Sequence, residues 1–553
     1  MDLLYYHRCL FKGCVYLLFL ILTIHHSASK VIEDFSPMEP QSILVVPDLH
    51  DAIHIGLFTT VGKRLVERGH NVSILSHKNL LNDDLNRNFN IISYESTTNV
   101  SSCTTDRISL TEGSNDCALV KLINIAWYWY KHSDQDAYLN ECSSILGNDK
   151  LIKNLIRSQF NKVLCDVSSP CCSILARYIN VTFVNFASKG ALGTRHFRWY
   201  YVPNVLSVVP EFMSGFTNRM DRWQRTQNVL FYLHSVIVYD FWMFGAYDRL
   251  KHNHNILTNE KAFDIIGKAD LLLLNTDLTV EFPRPYMQNV IFVGGISGRN
   301  SSKLDKDLEL FLQSSGQNSV IVASIHSKFS STKPENLQLL WKVLTSVPQK
   351  VVWVDNGDVP KMVTANENVT VIHVNKLNDV LGHDSVKVFV NHGNIDLAYM
   401  SIYHAVPSVV IPLFADEYEV AVRLEAKEIA QILHIQRLTR NALENALDQA
   451  LHNATLKEQV IWWSEVQQDF HDILLPPIDR AVFWIEHVMK FSGEYLRSAA
   501  FQLNTLQYFL LDVLLFVLIC VFLFIYIIRK FCLLCCCNKR TFSKDKNNKV
   551  KQQ

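Results

Sequence analysis

The chain has 553 residues, which is enough for two or more domains. Its 53 basic and 53 acidic residues give a formal net charge of zero, and 48% of all residues are hydrophobic. This balance argues against a nucleic-acid-binding protein and against an extensively disordered one.

The N-terminus has the pattern of a secretory signal peptide. An apolar run at residues 15–24 follows the basic residues His7, Arg8 and Lys12. The small residues 27–29 come next as a cleavage site. A retained anchor is the alternative, but the run is short for a bilayer span. We predict a signal peptide over residues 1–29.

Short apolar runs then alternate with helical stretches through most of the chain. This alternation predicts parallel sheets in doubly wound α/β domains. The predicted strands cover residues 43–46, 72–75, 163–166, 271–274, 290–293, 320–323, 351–354, 369–372, 388–390 and 409–411.

The stretch 388–417 is the most informative of the chain. An apolar strand ends at Asn391-His392-Gly393, a helical stretch runs to Val406-Pro407, and a second apolar strand ends before residues 412–416, PLFAD. A strand, turn, helix and strand form half of a nucleotide-binding α/β unit. In such a unit the turn presents backbone N–H groups and a helix N-terminus to a pyrophosphate.

This stretch resembles the signature segment of the UDP-glycosyltransferases, in particular the membrane-bound UDP-glucuronosyltransferase type. The residues that match the family pattern H-G-G, G-V-P and P-L-F-x-D-Q are His392, Gly393, Val406, Pro407, Pro412, Leu413, Phe414 and Asp416. The resemblance covers nearly the whole mature chain. It implies the GT-B architecture, in which two Rossmann-like domains face each other across a cleft.

The resemblance also divides the chain. It implies an N-terminal acceptor-binding domain at 30–285, with a Pro-rich boundary at 281–285, and a C-terminal nucleotide-sugar-binding domain at 286–475. Helices at 476–505 are expected to return to the N-terminal domain. The aromatic-rich stretches 123–130 and 197–202 fall where the family builds its acceptor pocket, although both are equally compatible with a hydrophobic core.

The resemblance implies a catalytic dyad of His54 and Asp166. Family members place the catalytic His fourteen residues before the Arg of an R-G-H sequence, here Arg68, and the catalytic Asp before a P-C pair, here Pro170-Cys171. The His would take the acceptor proton, and the Asp would orient it and stabilise its charged form. The alternative is a buried His with an incidental Asp.

Several donor-binding positions of the family are altered. Asn394 replaces the second Gly of H-G-G, Met400 the ribose-binding Glu, His326 the phosphate-loop Gly and Glu417 the Gln of D-Q. The family's Trp, Pro and Gln are also missing from residues 374–377. The donor-binding residues implied by the resemblance are Ser324, His326, Ser327, His392, Gly393, Asn394, Asp416 and Glu417.

The C-terminal part predicts a membrane anchor. Residues 506–528 are long and apolar enough to span a bilayer, and the lysine-rich tail 529–553 follows. The positive-inside rule predicts a type I topology. Lys549 and Lys551 resemble a dilysine signal for the endoplasmic reticulum membrane. A lumenal body is consistent with the N-x-S/T sequons and with disulfides, whose pairing the sequence leaves open.

These features lead to two functional hypotheses. The first is a transferase that moves a hexose or glucuronate from a UDP-sugar to a small lipophilic acceptor, with inversion. The second is a weak or inactive relative that binds a lipophile or modulates another subunit. In either case we expect no metal, no cofactor beyond the UDP-sugar co-substrate, and no nucleic acid. Homo- or hetero-oligomers are compatible with the sequence.

Overall fold

The structure is a computed structural model that describes residues 39–47, 52–78, 87–95, 134–188, 190, 195–212, 214–316, 319–325, 329, 334–355, 362–413 and 415–549. The predicted signal peptide and the aromatic stretch 123–130 therefore lie outside the described residues. The chain forms two compact units, Met1–Leu496 and Arg497–Gln553.

The first unit contains two all-parallel sheets. Their strands are β1 Ser42–Val46, β2 Asn71–His77, β3 Asn90–Tyr94, β4 Lys162–Asp166, β5 Phe183–Ala187, β6 Leu272–Leu274, β7 Val290–Phe292, β8 Val320–Ser324, β9 Lys350–Asp355, β10 Val369–His373, β11 Val386–Asn391, β12 Ser408–Val410 and β13 Ala430–Ile432. The first sheet has the order β3-β2-β1-β4-β5-β6-β7, and the second has the order β10-β9-β8-β11-β12-β13.

Helices connect the strands and cover both faces of each sheet. They are α1 Ala52–Glu67, α2 Asp134–Leu146, α3 Asp149–Arg157, α4 Pro170–Tyr178, α5 Arg195–Trp199, α6 Arg222–Ser235, a π-helical segment Val236–Met243, α7 Phe244–Asn253, α8 Ala262–Ile266, α9 Lys306–Gln313, α10 Pro334–Leu344, α11 Leu377–Leu381, α12 Ile395–Tyr403, α13 Ala415–Ala426, α14 Arg440–His452, α15 Ala454–Leu474, α16 Pro477–Phe491, α17 Thr505–Tyr508 and α18 Leu511–Lys549.

The apolar strands are buried because both of their faces pack on helices. In β1, Leu44 and Val46 belong to one hydrophobic cluster, whereas Ile43 and Val45 belong to another on the opposite face. In the second sheet, β8 divides its alternate residues between two clusters in the same way. Continuous apolar runs of this kind are typical of parallel strands that are covered on both sides.

The predicted α/β fold class and GT-B architecture are confirmed. Every strand predicted from an apolar run is present, with shifts of one or two residues at the ends. The sequence analysis missed β3, β5 and β13. The limits of the domains stay predictions, and the last strand of the first sheet, β7, follows the predicted boundary at 285.

Helix α16 packs against the first sheet and against α1. Ala481, Val482 and Ile485 belong to the cluster that contains the apolar face of α1. At the surface, the Arg64 guanidinium lies 2.6 Å from the Asp479 carboxylate. Hydrophobic burial supplies most of this contact, because partly exposed ion pairs contribute little.

The second unit contains the candidate membrane span. Within α18 the most apolar part is Leu511–Leu533, with a mean hydropathy of 3.1 and no buried residues in its most apolar window. The prediction placed the span at 506–528, but a left-handed backbone at Leu510 (φ 55°) separates the short helix α17 from α18. Asp512 lies in the first turn of α18, where a carboxylate suits the helix dipole.

A second helical run is also apolar enough to cross a membrane by composition. This run, Arg222–Asn253, reaches a mean hydropathy of 1.4 and is one third buried in its most apolar window. Its π-helical segment exposes Ile237 and Phe241, at 62% and 73%. A core helix of a soluble protein satisfies the same criterion, so the run by itself does not establish a second span.

Candidate functional site

Each sheet has a point at which the strand order reverses. In the first sheet the reversal lies between β1 and β4, and in the second it lies between β8 and β11. Ligands of open α/β sheets bind at the carboxyl ends of the strands at such a reversal. We call the carboxyl ends of β1 and β4 the first switch point, and those of β8 and β11 the second.

Asp166 is the last residue of β4 and lies at the first switch point. Its side chain is 3% exposed, and both carboxylate oxygens accept hydrogen bonds. Oδ1 accepts from the Ser168 backbone N–H at 2.8 Å, and Oδ2 accepts from the Ser188 hydroxyl at 3.1 Å. These two donors fix the orientation of the carboxylate. Ser188 is a residue that the sequence analysis did not single out.

His54 is the third residue of α1, the helix that follows β1. The adjacent strands β1 and β4 therefore lead to the two predicted dyad residues at one edge of the sheet. The side chain of His54 lies outside the described part of the structure, as do residues 48–51. The dyad stays a prediction.

Two disulfides surround Asp166. Cys165–Cys172 joins the end of β4 to α4, and Cys142–Cys171 joins α2 to the same helix. Helix α4 begins with Pro170 at its first position and with the Ser169 hydroxyl accepting from the Cys171 N–H, which is a favourable start for a helix. The loop around Asp166 is thus held by covalent bonds on both sides.

A cavity adjoins Asp166. Its wall is formed by the ends of β1 and β4 together with α2 and α4, and it includes the Cys142–Cys171 disulfide and Cys172. Val46, Ile145 and Leu175 supply apolar surface, and Glu141 supplies a second carboxylate. The aromatic stretch 197–202 does not line this cavity: Phe197 and Trp199 are buried in the core, where Trp199 packs edge-on against Phe244 at 5.2 Å.

The second switch point contains four of the predicted donor-binding residues, Ser324 and His392 to Asn394. Ser324 ends β8 and is fully buried, and its carbonyl accepts from the His392 Nδ1–H at 3.2 Å. Gly393 has φ 85°, and a Cβ there would lie 3.0 Å from the Glu417 carbonyl oxygen. Glycine at 393 is therefore required by conformation and by space. His326 and Ser327 lie outside the described residues.

Two backbone N–H groups at the second switch point, those of Gly393 and Asp396, already donate to side chains of the chain itself. Asn391 Oδ1 accepts from the Gly393 N–H at 2.9 Å. Asn394 caps α12 and accepts from the Asp396 N–H at 2.8 Å. Anion binding at a helix N-terminus relies on such N–H groups, so a diphosphate would have to displace these bonds.

Glu417 likewise accepts from a backbone N–H group after the next strand, β12. It is 5% exposed, lies in the first turn of α13, and accepts from the Leu413 N–H through Oε2 at 2.6 Å. Its Oε1 lies 3.6 Å from His392 Nε2. Asp416, the preceding residue, is only partly buried. Two neighbouring carboxylates thus lie where the family resemblance implies contacts to the donor sugar.

Asp396 is a further acid of this region that the sequence analysis missed. It is 7% exposed in the first turn of α12, and its carboxylate accepts from Asn275 Nδ2 at 3.2 Å and from the Ser297 hydroxyl at 3.1 Å. The spacing Asn394-x-Asp396 is an N-terminal helix signal that was available in the sequence. These bonds join α12 to the end of β6, through Asn275, and to the segment that connects the two sheets, through Ser297.

Asn378, which follows the altered positions 374–377, has a structural role. Asn378 donates to the Arg299 carbonyl at 3.0 Å, and its Oδ1 accepts from His404 Nε2 at 3.0 Å. Burial lowers the pKa of His404 to about 4. Lys376 pairs with the Asp305 carboxylate. Among the described residues, no group of three or more His, Cys, Asp or Glu side chains is arranged to hold a metal.

Sequence comparison agrees with this geometry. The chain matches the family described as UDP-glucoronosyl and UDP-glucosyl transferase over residues 41–547. The chain belongs to this family. It is 32% identical to UDP-glucuronosyltransferase 2B15 of Homo sapiens over 86% of this chain and 90% of that protein. It is 32% identical to UDP-glucuronosyltransferase 2A3 of Mus musculus over 86% of this chain and 89% of that protein.

Solved structures with the same fold include other members of the wider glycosyltransferase group. One is the glycosyltransferase of kitacinnamycin, with a TM-score of 0.53 and 16% identity over 81% of this chain and 98% of that one. Another is a UDP-glucosyltransferase from Polygonum tinctorium, with a TM-score of 0.53 and 14% identity over 82% of this chain and all of that one. At these identities the likeness concerns the GT-B fold alone.

Proposed function

We propose that this family member transfers a sugar from a UDP-sugar to a small lipophilic acceptor at the first switch point. The observation that carries the proposal is the placement of Asp166: a buried carboxylate, fixed by two donors, beside a cavity at a sheet edge where α/β folds bind ligands. Membership of the family supports a UDP-sugar as the donor.

In the proposed mechanism His54 removes the proton of the acceptor hydroxyl while the hydroxyl oxygen attacks the anomeric carbon. The bond between that carbon and the UDP oxygen breaks, and UDP leaves with the electron pair from the opposite face, so the configuration inverts. Asp166 orients the imidazole and stabilises its positive charge.

The setting of the reaction is part of the proposal. The candidate span Leu511–Leu533 and the basic tail after it support a single membrane anchor with a cytosolic C-terminus. The two disulfides support an oxidising compartment. We therefore place the body of the protein in the lumen of the endoplasmic reticulum.

A second function is favoured by the second switch point. There side chains accept hydrogen bonds from the N–H groups of Gly393, Asp396 and Leu413. Three acidic residues, Asp396, Asp416 and Glu417, follow the ends of β11 and β12 in the sequence. Both the occupied N–H groups and the negative charges disfavour the binding of a diphosphate. They support a relative that keeps the acceptor cavity but binds a donor weakly, and that acts by binding lipophiles or by modulating another subunit.

One experiment separates the two functions. Calorimetry on the full-length protein in detergent micelles measures binding of UDP, UDP-glucose and UDP-glucuronate. Binding in the micromolar to low-millimolar range, followed by transfer to phenolic acceptors that the His54→Ala variant loses, supports the transferase. Absence of binding up to several millimolar, with the protein folded, rejects the transferase and leaves the binding function.

A further inference from the structure

Four cysteines lie at the C-terminal end of the candidate span and just beyond it. Residues 529–540 read RKFCLLCCCNKR, so an uncharged segment at 531–538 lies between the basic pairs Arg529-Lys530 and Lys539-Arg540. We call its cysteines the juxtamembrane cysteines: Cys532, Cys535, Cys536 and Cys537. The proposed transfer reaction uses none of them, and neither disulfide of the first unit includes them.

Helix α18 brings these cysteines to the surface of a bilayer. It runs from Leu511 to Lys549 as one helix. At a rise of about 1.5 Å per residue, about 20 residues cross a hydrocarbon layer of about 30 Å, so a span that begins at Leu511 leaves the layer near Lys530. Cys532 and Cys537 then follow Lys530 by about 3 Å and about 10 Å along the helix axis. The juxtamembrane cysteines therefore extend across the headgroup layer, which has a comparable thickness.

Packing within the protein does not account for a cysteine at this place. Cys532 is a free, exposed thiol, and its neighbours Phe531 and Leu533 are 68% and 55% exposed. A free cysteine commonly serves as a small hydrophobe in a core, but that role needs surrounding side chains. Residues three and four apart are neighbours on a helix, so positions 532, 535 and 536 share one face of α18. Several thiols are thus grouped at one depth.

We infer that the juxtamembrane cysteines are acylated by a long-chain fatty acyl-coenzyme A. The cysteine sulfur attacks the thioester carbonyl of the donor, and a new bond forms between this sulfur and the acyl carbon. The bond from that carbon to the coenzyme A sulfur breaks, and coenzyme A leaves as a thiol that carries the proton of the cysteine. Cysteines next to a span are known acceptors of such chains. The reaction is an exchange of thioesters and needs no oxidant or reductant.

The charges around the segment fit this donor. Coenzyme A is anionic because of its phosphates, and the basic pairs 529–530 and 539–540 flank the cysteines on both sides. Attached acyl chains would insert beside the span and hold the uncharged segment 531–538 at the membrane. The inference goes beyond the proposed transfer reaction, but it rests on the proposed cytosolic side of the tail, because the polar coenzyme A group must reach the thiols from the cytosol.

The test uses the full-length protein, expressed in cells that are fed an alkyne analogue of palmitate and then coupled to a fluorophore. The wild-type protein is expected to carry label that neutral hydroxylamine removes, because hydroxylamine cleaves thioesters and leaves amides intact. A combined variant is expected to lose nearly all of the label at an unchanged protein yield; its substitutions are Cys532→Ser, Cys535→Ser, Cys536→Ser and Cys537→Ser. Absence of label from the wild type, or label that survives in the combined variant, overturns the inference.

Cys520 offers a matched control in the same helix. It is also a free cysteine but lies ten residues before Lys530, about 15 Å inside the hydrocarbon layer, where the coenzyme A group does not enter. Cys520→Ala is therefore expected to keep the full label. His54→Ala also keeps it, so failure of the transfer reaction and failure of this inference are read separately.

Sealed microsomes test the side of the membrane. Free thiols are blocked first, thioesters are then cleaved with hydroxylamine, and a membrane-impermeant maleimide is added to the wild-type protein. Reaction without detergent, which the combined variant lacks, supports acylated thiols on the cytosolic face. Reaction only after detergent would place the thiols in the lumen and overturn the inference.

Discussion

The two switch points of this molecule have the same topology but differ in how their polar groups are used. At the first, the Asp166 carboxylate is held by two donors and faces a cavity. At the second, side chains of Asn391, Asn394 and Glu417 take up the N–H groups at the strand ends. The fold alone therefore does not make a donor site, because side chains of the chain itself can already accept from the backbone N–H groups at the reversal of strand order.

This difference suggests that the two sites are under different constraints. Where the strand ends are capped, an incoming diphosphate must replace existing hydrogen bonds, and the net gain of each exchange is small. At the first switch point, an acceptor that enters the cavity beside Asp166 does not have to displace these capping bonds. The comparison predicts a higher ratio of acceptor affinity to donor affinity in this protein than in a family member whose N–H groups at the second switch point are uncapped.

The largest expected effect comes from removing the charge at the first switch point. Asp166→Asn keeps the size and one acceptor oxygen but loses the charge that stabilises a protonated His54. The transfer rate is expected to fall by roughly 100-fold or more, while UDP affinity changes less than twofold. Single-turnover assays and calorimetry measure the two quantities.

The exposed Asp469→Asn on α15 is the matched control, and it is expected to leave both quantities unchanged. A transfer rate that survives Asp166→Asn within a factor of three would remove Asp166 from the dyad and leave the first switch point without a proposed catalytic role.

The comparison also shows which parts of the structure the sequence could predict. Apolar runs identified β1, β4, β8 and β11, because buried parallel strands are continuously hydrophobic. The edge strands β3 and β13 were missed because Asn, Ser or Gln interrupts their apolar pattern. In β5 a fully buried Asn185 interrupts the apolar pattern, and its amide bonds the Tyr200 hydroxyl at 2.6 Å.

The site was predictable only where a local motif marks it. The resemblance placed Asp166 and the turn 391–394 at their strand ends, as the topology requires. The partners of these residues come from distant parts of the chain: Ser188 for Asp166, and Asn275 and Ser297 for Asp396. The pairing of Cys165 with Cys172 and of Cys142 with Cys171 was equally open in the sequence.

An effect of intermediate size is expected from His404, which lies at the C-terminal end of α12. Burial lowers its pKa to about 4, below the value of about 6.5 in an unfolded chain. The unfolded state therefore binds the extra proton first, and stability that is complete above pH 6.5 is lost as the pH falls towards 4. Between pH 7.5 and 5.0 this loss amounts to about 2 kcal/mol.

Thermal unfolding of the full-length protein at the two pH values measures this loss. His404→Gln is expected to show a smaller acid destabilisation than the wild type, whereas His452→Gln, at an exposed position on α14, keeps the wild-type loss. Equal acid losses in the wild type and His404→Gln would show that His404 does not couple the second sheet to pH.

The smallest expected effect tests the second switch point. Asp396→Asn removes a charge from the first turn of α12 but keeps an oxygen for the bonds from Asn275 and Ser297. An anion near a helix N-terminus is stabilised by up to about 1 kcal/mol, and a carboxylate at the same place competes with it. UDP affinity is therefore expected to rise by about fivefold, measured by calorimetry. Asp384→Asn, at an exposed position before β11, is expected to change nothing. If Asp396→Asn binds UDP no better than the wild type, the diphosphate does not approach α12, and capping rather than charge limits the donor site.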